Sequence, residues 1–264
     1  MSQDSSLLAV LAHPDDETFR CGGTLALLAR RGVRVWLLCA TRGEAGSCGN
    51  PPLCQPDGLG QVREAELRCA CAALGIEPPR FLGYRDGTLS QVDENQAVAQ
   101  IVRAVRELRP QTLLTWPADG LSGHPDHIAV SQWTGEAFRR AADPAAYPEH
   151  QAEGWLPYAV TWLYHLVIPR SLVEVLEIPH LHPVPDEVVS LQVDVSAVWE
   201  AKLAAIHCHC TQMSSSPILA APEAKQRLFL GMEYFCLAMT RLVPAVDCAE
   251  QGDEKSGPSQ YSRG

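Results

Sequence analysis

Residues 7–40 carry the pattern that specifies the architecture, and they read LLAVLAHPDDETFRCGGTLALLARRGVRVWLLCA. The apolar run at their start ends in a turn, which is typical of a buried strand. Apolar positions at helical spacing follow over residues 17–31, and Gly32 stands where a helix C-cap is favoured. The apolar segment 33–40 predicts a second strand. This strand–helix–strand order predicts a parallel pair with a right-handed crossover.

The same alternation continues along the chain. Residues 61–74, 95–108 and 124–140 have helical spacing, and residues 112–116 have the composition of a strand. We therefore expect an α/β fold, namely a Rossmann-like, doubly wound, mostly parallel sheet with helices on both faces.

A single domain accounts for most of the chain. We find no internal repeat, and strand-like segments at 160–168 and 234–238 with a helical segment at 197–209 extend the same unit. We assign residues 1–246 to this domain. Residues 247–264 are mostly polar and contain several glycines and serines, so we expect a disordered tail there.

Composition and charge limit the classes of partner. The 264 residues are 46% hydrophobic and 20% charged, which is usual for a globular protein with a core. The formal net charge of −10 argues against binding to nucleic acid or to an anionic membrane, because both require clustered Lys and Arg. The start lacks signal-peptide features, and no apolar stretch is long enough for a transmembrane segment. We expect a cytoplasmic protein; homo-oligomer formation stays open.

The ten cysteines are expected to be mostly reduced. Cys69 belongs to a group in apolar surroundings, where free cysteine behaves as a small hydrophobe. Cys48 and Cys54 lie in a loop rich in glycine and proline, and two reduced thiols are favoured there over a disulfide or a metal pair. The Cys-His-Cys sequence at 208–210 resembles a metal motif, but adjacent helical positions point to different faces.

Two clusters of imidazoles and carboxylates follow predicted strands. Residues 12–17 read AHPDDE, and residues 123–127 read GHPDH. Ligands of open α/β sheets bind outside the carboxyl ends of the strands. Pro14 and Pro125 suit the first turn of a helix, so each cluster forms a rigid strand-to-helix corner. Two imidazoles and one carboxylate, with a fourth position open, are the donor set of a hydrolytic zinc site.

Simpler explanations exist for each cluster alone. Acidic residues in the first turn of a helix interact favourably with the helix dipole, and surface histidines are common without any ligand. Two such clusters at the carboxyl ends of strands in one sheet are harder to explain by capping. A metal site is therefore favoured.

These corners are similar to the two signature motifs of the PIG-L (LmbE-like) family of metal-dependent N-acetylglucosamine-conjugate de-N-acetylases. The first motif is residues 12–17 with the Gly-Gly-Thr of residues 22–24, and the second is His-Pro-Asp-His at 124–127. The resemblance covers about residues 7–240. It implies a hydrolase that removes an N-acetyl group from a glucosamine-type sugar. Weaker matches are TRGE at 41–44, REAEL at 63–67, YRD at 84–86 and HCTQ at 209–212.

The resemblance also implies roles for individual residues. The implied metal ligands are His13, Asp16 and His127. The metal is expected to be zinc, although iron(II) or cobalt(II) also suits this donor set. Asp15 is implied as the general base that takes a proton from the attacking water. His124, held by Asp126, is implied to stabilise the oxyanion or to protonate the leaving amine.

Further residues are implied to contact the sugar. They are Arg42, Glu44, Arg63, Asp86 and His209. A surface ion network explains the first four equally well, and a helix C-terminal cap is an alternative for His209.

The chain departs from some members of the family next to the second motif. Those members carry a tyrosine two residues before that motif, where it assists the oxyanion, whereas this chain has Ser122. Either a different group fills this role, or His124 and the metal suffice. The long loop 45–59 gives the crevice its own lid, and no substrate can be derived from it.

Three other functions compete with de-N-acetylation. An amidase acting on a larger acyl or thiol–sugar conjugate would use the same groups, and a roomier pocket lined by residues 143–157 would favour it. A nucleotide-binding protein is disfavoured because no Gly-x-Gly-x-x-Gly follows the first strand and acidic residues fill the turn. A metal-binding module without catalysis is disfavoured because Asp15 is a spare base beside the ligands.

Overall fold

The chain forms one seven-stranded sheet with helices packed against it, in a computed structural model that describes residues 5–214 and 216–241. The strands are β1 (Ser6–Leu11), β2 (Arg34–Thr41), β3 (Arg80–Tyr84), β4 (Thr112–Thr115), β5 (Trp162–Val167), β6 (Leu191–Asp194) and β7 (Met232–Thr240). The helices are α1 (Asp16–Arg20), α2 (Gly22–Arg30), α3 (Leu59–Leu74), α4 (Glu94–Leu108), α5 (Pro125–Arg140), α6 (Pro148–Ala152), α7 (Arg170–Leu176), α8 (Trp199–Cys208), α9 (Cys210–Met213) and α10 (Glu223–Leu230).

The strand order places a ligand crevice beside β1. Across the sheet the strands run β3-β2-β1-β4-β5-β7-β6. The first five strands in that order are parallel, whereas β7 is antiparallel to both of its neighbours. The order reverses between β1 and β4, and ligands of such sheets bind at this switch point, outside the carboxyl ends of the strands.

The expected α/β class is confirmed. Helices α2, α3 and α8 pack against one another, and α4 packs against α5 as a separate pair. Strands β1 and β2 are buried along nearly their whole length, as parallel strands covered on both faces should be. Most of the predicted bounds differ from the observed ones by only one or two residues, for example at α4, α5 and β2.

The helix expected over residues 17–31 is interrupted. Helices α1 and α2 meet at Cys21, whose backbone is not helical. The N–H groups of Gly23 and Thr24, in the first turn of α2, donate to the Glu233 carboxylate at 2.8 and 2.7 Å. A carboxylate at a helix N-terminus is stabilising. Because Glu233 lies on β7, far along the chain, local spacing does not reveal this new helix start.

The expectation that Cys69 is reduced is wrong in this structure. Cys69 on α3 forms a disulfide with Cys208 at the end of α8, because the two helices pack together and bring the Cα atoms to 5.7 Å. Cys48 and Cys54 are free, as expected. His209 follows the end of α8 and is itself non-helical, so the segment 208–210 is not one continuous helix.

The segment 143–157 is held to the body of the protein by a buried arginine. Arg106 on α4 is 2% exposed, and its guanidinium donates to backbone carbonyls on both sides of the loop, including those of Asp143 at 2.8 Å and Tyr147 at 3.1 Å. A buried guanidinium needs such acceptors. This anchor ties the loop to α4.

Two further expectations concern transmembrane segments and the C-terminal tail. Within those residues, no helix combines the length and apolar character needed to cross a bilayer. The expected tail at 247–264 lies outside them.

A candidate metal centre at the carboxyl ends of β1 and β4

Asp16 is held by the backbone at the end of β1. Its Oδ2 atom accepts the N–H groups of Ala12 and His13 at 3.0 and 2.8 Å. Its Oδ1 atom faces His127 Nε2 at 3.5 Å. Burial would raise the pKa of this carboxyl, but His127, His13 and the backbone donors hold it well below its usual range. Asp16 is therefore an oriented carboxylate with one oxygen free for a ligand.

His127 enters from the first turn of α5 and is fixed on two sides. Its Nδ1 atom lies 3.1 Å from the Gly120 carbonyl oxygen, which makes Nδ1 the protonated nitrogen and leaves Nε2 free. Its ring stacks on Trp116, with centroids 4.0 Å apart and planes within 3°. Gly120 has φ 67°, and a Cβ there would lie 2.9 Å from His127 Cβ. Glycine thus lets the loop approach the ring.

His13 is surrounded by carboxylates. Its Nε2 atom lies 3.0 Å from Asp86 Oδ1 and 3.2 Å from Asp126 Oδ2, and its Nδ1 atom lies 3.8 Å from Asp16 Oδ2. Burial would lower the pKa of His13, but these three carboxylates outweigh it and raise the pKa to about 10. Such an excess of negative charge around one imidazole is the environment that a cation stabilises.

These three residues fit a metal ion. Each of His13, Asp16 and His127 can offer one ligand atom, and the atoms lie within 4.8 Å of one another. The second nitrogen of each imidazole faces an oxygen acceptor, as is usual for metal-bound histidines. Two imidazoles and one carboxylate suit zinc and leave room for a further ligand.

Asp126 contacts a different histidine from the expected one. Its carboxylate faces His13 and accepts the N–H groups of Gly87 at 2.8 Å and Leu89 at 3.1 Å. Its hydrogen bond with His124 is made by the backbone, where the Asp126 N–H donates to His124 Nδ1 at 3.2 Å. The carboxylate was expected to hold His124. Instead, the carboxylate points toward the loop after β3, because two backbone N–H groups of that loop donate to it.

His124 is the N-cap of α5 and lies beside the ligand group. Its ring stacks on that of His127, with centroids 4.7 Å apart, and meets that of His13 edge-on, with centroids 5.0 Å apart. Burial, together with the two neighbouring imidazoles, lowers the pKa of His124. With Nδ1 accepting a backbone N–H, the neutral ring carries its proton on Nε2, where it can be donated.

Asp15 adopts a backbone conformation that is rare outside glycine. Its φ is 111°, and its N–H donates to Glu17 Oε2 at 3.1 Å. Its carboxylate Oδ2 lies 3.2 Å from an Arg63 guanidinium nitrogen and is about a quarter exposed. Burial raises the pKa of Asp15 to about 7, against the opposing effect of Arg63. Strained backbone and a carboxyl poised near neutral pH are both frequent at functional sites.

Arg63 and Asp86 adjoin the ligand group. Arg63 is 3% exposed, and its guanidinium donates to the carbonyl oxygens of Gly43, at 2.8 Å, and Pro14. Asp86 accepts the Ala45 N–H at 3.0 Å with its second oxygen. The structure therefore brings both residues to the site that the sequence predicted for them, where they also brace the loops that frame it.

Arg42 and Glu44 lie apart from the ligand group. Arg42 is exposed and pairs with Glu64 at 2.6 Å, while Glu44 accepts the Arg42 N–H at 3.1 Å. Both line a shallow surface cavity with Glu64, in which none of the metal-ligand candidates takes part. Their role in sugar binding stays a prediction.

His209 is buried behind Asp15. Its Nε2 atom lies 2.7 Å from Glu17 Oε1, and both side chains are 1% exposed. Burial would lower the pKa of His209, but Glu17 outweighs it and raises that pKa. Glu17 thus links His209 to the Asp15 N–H. Glu17 closes the AHPDDE motif but was not among the expected site residues.

A groove opens from the site toward α7 and α10. Its volume is about 370 Å³, and Asp15 and His127 form part of its wall. Most of the remaining wall is apolar, and we call it the apolar groove. Its main apolar side chains are Phe19, Trp116, Leu121, Ile178, Leu181 and Phe229. None of residues 143–157 lines the groove, so it is not the roomier pocket that would favour an amidase acting on a larger conjugate.

Comparison with known proteins identifies the family. The sequence profile of PIG-L, described as GlcNAc-PI de-N-acetylase, matches residues 8–138. The 1D-myo-inositol 2-acetamido-2-deoxy-alpha-D-glucopyranoside deacetylase of Thermobispora bispora is 35% identical over 89% of this chain and 88% of that protein.

Solved structures share the fold. The N,N'-diacetylchitobiose deacetylase of Pyrococcus horikoshii has a TM-score of 0.69 at 20% identity, covering 92% of this chain and 88% of that one. A 4-carboxy-2-hydroxymuconate hydratase has a TM-score of 0.68 at 20% identity, covering 90% and 98%. Fold alone therefore does not decide the chemistry. The sequence relative supports the expected hydrolytic N-deacetylase, and by that similarity the chain belongs to the PIG-L family.

Proposed function

We propose that this protein is a zinc-dependent hydrolase that removes the N-acetyl group from an N-acetylglucosamine-type conjugate. The observation that carries the proposal is the placement of the Asp15 carboxylate, held 3.2 Å from Arg63, next to Asp16 in the His13, Asp16 and His127 ligand group. Amide hydrolysis needs an electrophile at the carbonyl, an activated water and a proton for the amine. The site offers a group for each of these needs.

Each residue then has a defined task. His13, Asp16 and His127 would hold the zinc ion, which when bound would supply Lewis acidity at the amide carbonyl and acidify water. Asp15 accepts the proton of the attacking water, and Arg63 holds its carboxylate in place from 3.2 Å. A general base is most effective when its pKa is close to the working pH, because a large fraction is then deprotonated and that fraction is still basic enough to take the proton.

The strand-to-helix corner at residues 124–127 acts on the carbonyl oxygen and on the leaving amine. The Nε2–H of neutral His124 stabilises the carbonyl oxygen as it becomes negative or protonates the departing amine. Asp126 positions His13 through the 3.2 Å contact and ties α5 to the loop after β3. Ser122 stands where the family resemblance places a tyrosine in some members, so either a different group or His124 together with a bound metal would stabilise the oxyanion here.

The substrate class rests on the relatives. The sequence relative described above is named for a 2-acetamido-2-deoxy-glucopyranoside of inositol, and the structural neighbour for diacetylchitobiose. Both names contain an N-acetylated glucosamine. We extend that unit, as a free small-molecule conjugate, to this chain. A cytoplasmic setting is part of the proposal; seven cysteines of the described residues are free, whereas Cys69 and Cys208 form a disulfide.

Amine release tests the proposal. The full chain is loaded with zinc and incubated with N-acetylglucosaminyl-inositol, diacetylchitobiose and methyl N-acetylglucosaminide, and free amine is measured with a fluorogenic reagent. We expect release that stops on chelation and returns on adding zinc. Folded, zinc-loaded protein that releases amine from none of the three compounds would contradict it.

A further inference from the structure

We propose that Cys48 and Cys54 are a redox-sensitive pair, which a hydroperoxide oxidises to a disulfide that fixes the loop beside the catalytic site. The two thiols lie in the loop between β2 and α3, and five residues separate them. Both are free in the structure and are partly exposed. The inference concerns a modification site and does not depend on the proposed function.

The backbone between the two cysteines is closed by a hydrogen bond. The Leu53 N–H donates to the Cys48 carbonyl oxygen at 2.7 Å, which brings the residue before Cys54 against Cys48. Gly49 has φ 92°, and a Cβ there would lie 3.3 Å from Leu53 Cγ, so glycine lets the two arms of the loop approach closely. Desolvation and a hydrogen bond with the Cys48 side chain raise the pKa of the Cys54 thiol. The two thiols therefore already touch, and joining them needs no large backbone movement.

Accessibility separates this pair from the buried cysteines of the described residues. Cys21, Cys39 and Cys71 are buried, and burial raises the pKa of each thiol, which keeps it protonated and out of reach of solutes. A redox sensor needs a solvent-accessible thiol beside a second thiol that resolves the first oxidation product. Cys48 and Cys54 meet both conditions.

A bound metal ion explains the pair less well. Thiolate metal sites use three or four protein ligands. The described residues contain two groups of three possible metal ligands, and neither group includes Cys48 or Cys54. Two thiols without a third donor fit a disulfide better than a metal site.

The loop is bound to the catalytic site just before the pair. The Ala45 N–H donates to Asp86 Oδ2 at 3.0 Å, and the other carboxylate oxygen of Asp86 contacts the metal-ligand group. The carbonyl oxygen of Ser47 accepts a hydrogen bond from Gln212 Nε2 at 2.8 Å. A disulfide would close the following residues into a short ring, so the loop would be restrained on both sides of Ser47.

The oxidation needs only a hydroperoxide, here hydrogen peroxide. The Cys48 sulfur attacks the O–O bond, takes one oxygen as a sulfenic acid and releases the first water. The Cys54 sulfur then attacks the Cys48 sulfur, which forms the S–S bond and releases the second water. The two thiols together lose two electrons and two protons, and the peroxide is reduced to two waters. A dithiol reductant restores both thiols by exchange and is itself oxidised to a disulfide.

Tryptic mapping of the full chain tests the pair. Residues 43–63 form one tryptic peptide that contains Cys48 and Cys54 and no other cysteine. After treatment with hydrogen peroxide we expect this peptide to lose two hydrogens and to resist alkylation, and dithiothreitol should restore two alkylatable thiols. Hydrogen exchange at the Leu53 N–H, followed by NMR, should slow roughly 10–50-fold in the oxidised protein, because a cross-link over so short a loop removes much of the entropy of opening.

Two variants locate the reaction. Cys54→Ser should stop the oxidation at the Cys48 sulfenic acid, which dimedone traps, and peroxide should then leave the exchange of the Leu53 N–H unchanged. Cys210→Ser is the matched control, because Cys210 is exposed and its thiol donates to the His207 carbonyl oxygen at 3.2 Å. This control should form the disulfide within residues 43–63 as the wild type does.

Three results would overturn the inference. The peptide 43–63 could stay fully alkylatable after peroxide, or its cysteines could appear only as sulfonic acids or in links to other cysteines. A disulfide that leaves the exchange of the Leu53 N–H unchanged would show that it does not fix the loop. Neither readout uses turnover, so an absence of amine release, which would refute the proposed function, leaves this inference standing.

Discussion

Replacing Glu17 with glutamine probes the buried pair that supports Asp15. Glu17 Oε1 lies 2.7 Å from His209 Nε2, while Oε2 accepts the Asp15 N–H at 3.1 Å. Glutamine keeps the shape of the side chain but removes its charge. His209 then loses its counter-charge, and the strained Asp15 backbone loses a charged acceptor.

The expected loss in the free energy of unfolding follows from the burial of the pair and from the direction of the His209 pKa shift. Losing a hydrogen bond to a charged group costs about 1.5–3 kcal/mol in the free energy of unfolding. Glu17 raises the pKa of His209 in the folded state. The stabilisation by the pair is therefore complete below the unfolded pKa of about 6.5 and is lost as pH rises through the folded value. We expect the full cost near pH 6 and a smaller cost near pH 9.

Urea unfolding of the chelator-treated protein at both pH values measures this difference. Glu64→Gln is the matched control, because Glu64 pairs with Arg42 and Arg68 on the surface and should cost less than about 1 kcal/mol. Amine release by the zinc-loaded Glu17→Gln variant should show a lower kcat, since Asp15 is less well positioned. Losses that match the control at both pH values would refute the reasoning.

Three other substitutions give distinct outcomes. Asp15→Asn keeps the ligands and should lower kcat by roughly 10²–10⁴-fold with zinc retained; turnover within a few-fold of wild type would remove Asp15 from the base role. Gly120→Ala puts a Cβ 2.9 Å from His127 Cβ at φ 67° and should weaken zinc affinity, measured by competition with a chelator; unchanged affinity would contradict this contact. Lys202→Met leaves Glu233 buried without its 2.7 Å partner and should lower the free energy of unfolding, measured in urea, by about 3–5 kcal/mol. An unchanged free energy of unfolding would mean that the ion pair is not needed.

Local pattern was sufficient for strands β1 and β2 and for helix α3. The strands around residues 7–11 and 34–41 and the helix ending at Gly75 were predictable because apolar spacing and a left-handed glycine cap are local signals. The placement of both His/Asp corners at one crevice followed from parallel strand order.

Long-range contacts account for what the sequence did not reveal. The break at Cys21 depends on a carboxylate from β7, and the Cys69–Cys208 disulfide depends on the packing of α3 against α8. The short strands β3 and β6 and the helices α7 and α10 were not assigned from their spacing. The contact of Asp126 with His13 arises from backbone donors in the loop after β3, which no motif encodes.

The candidate metal centre had a local sequence signature, whereas the groove beside it did not. Asp15, Asp16 and His13 stand within one motif, so their proximity was foreseeable. The groove walls come from α1, the loop after β4 and the region of α7 and α10, which only the tertiary fold assembles. Substrate specificity was therefore the least accessible property.

The most direct test of the account is the zinc content of the purified protein and of its His127→Gln variant, measured by elemental analysis after dialysis in equimolar zinc. We predict one equivalent in the wild type and almost none in the variant, with both proteins folded by circular dichroism. Glutamine cannot replace the imidazole nitrogen that faces Asp16 at 3.5 Å. Folded wild-type protein without zinc, or a variant that binds a full equivalent, would contradict the metal centre.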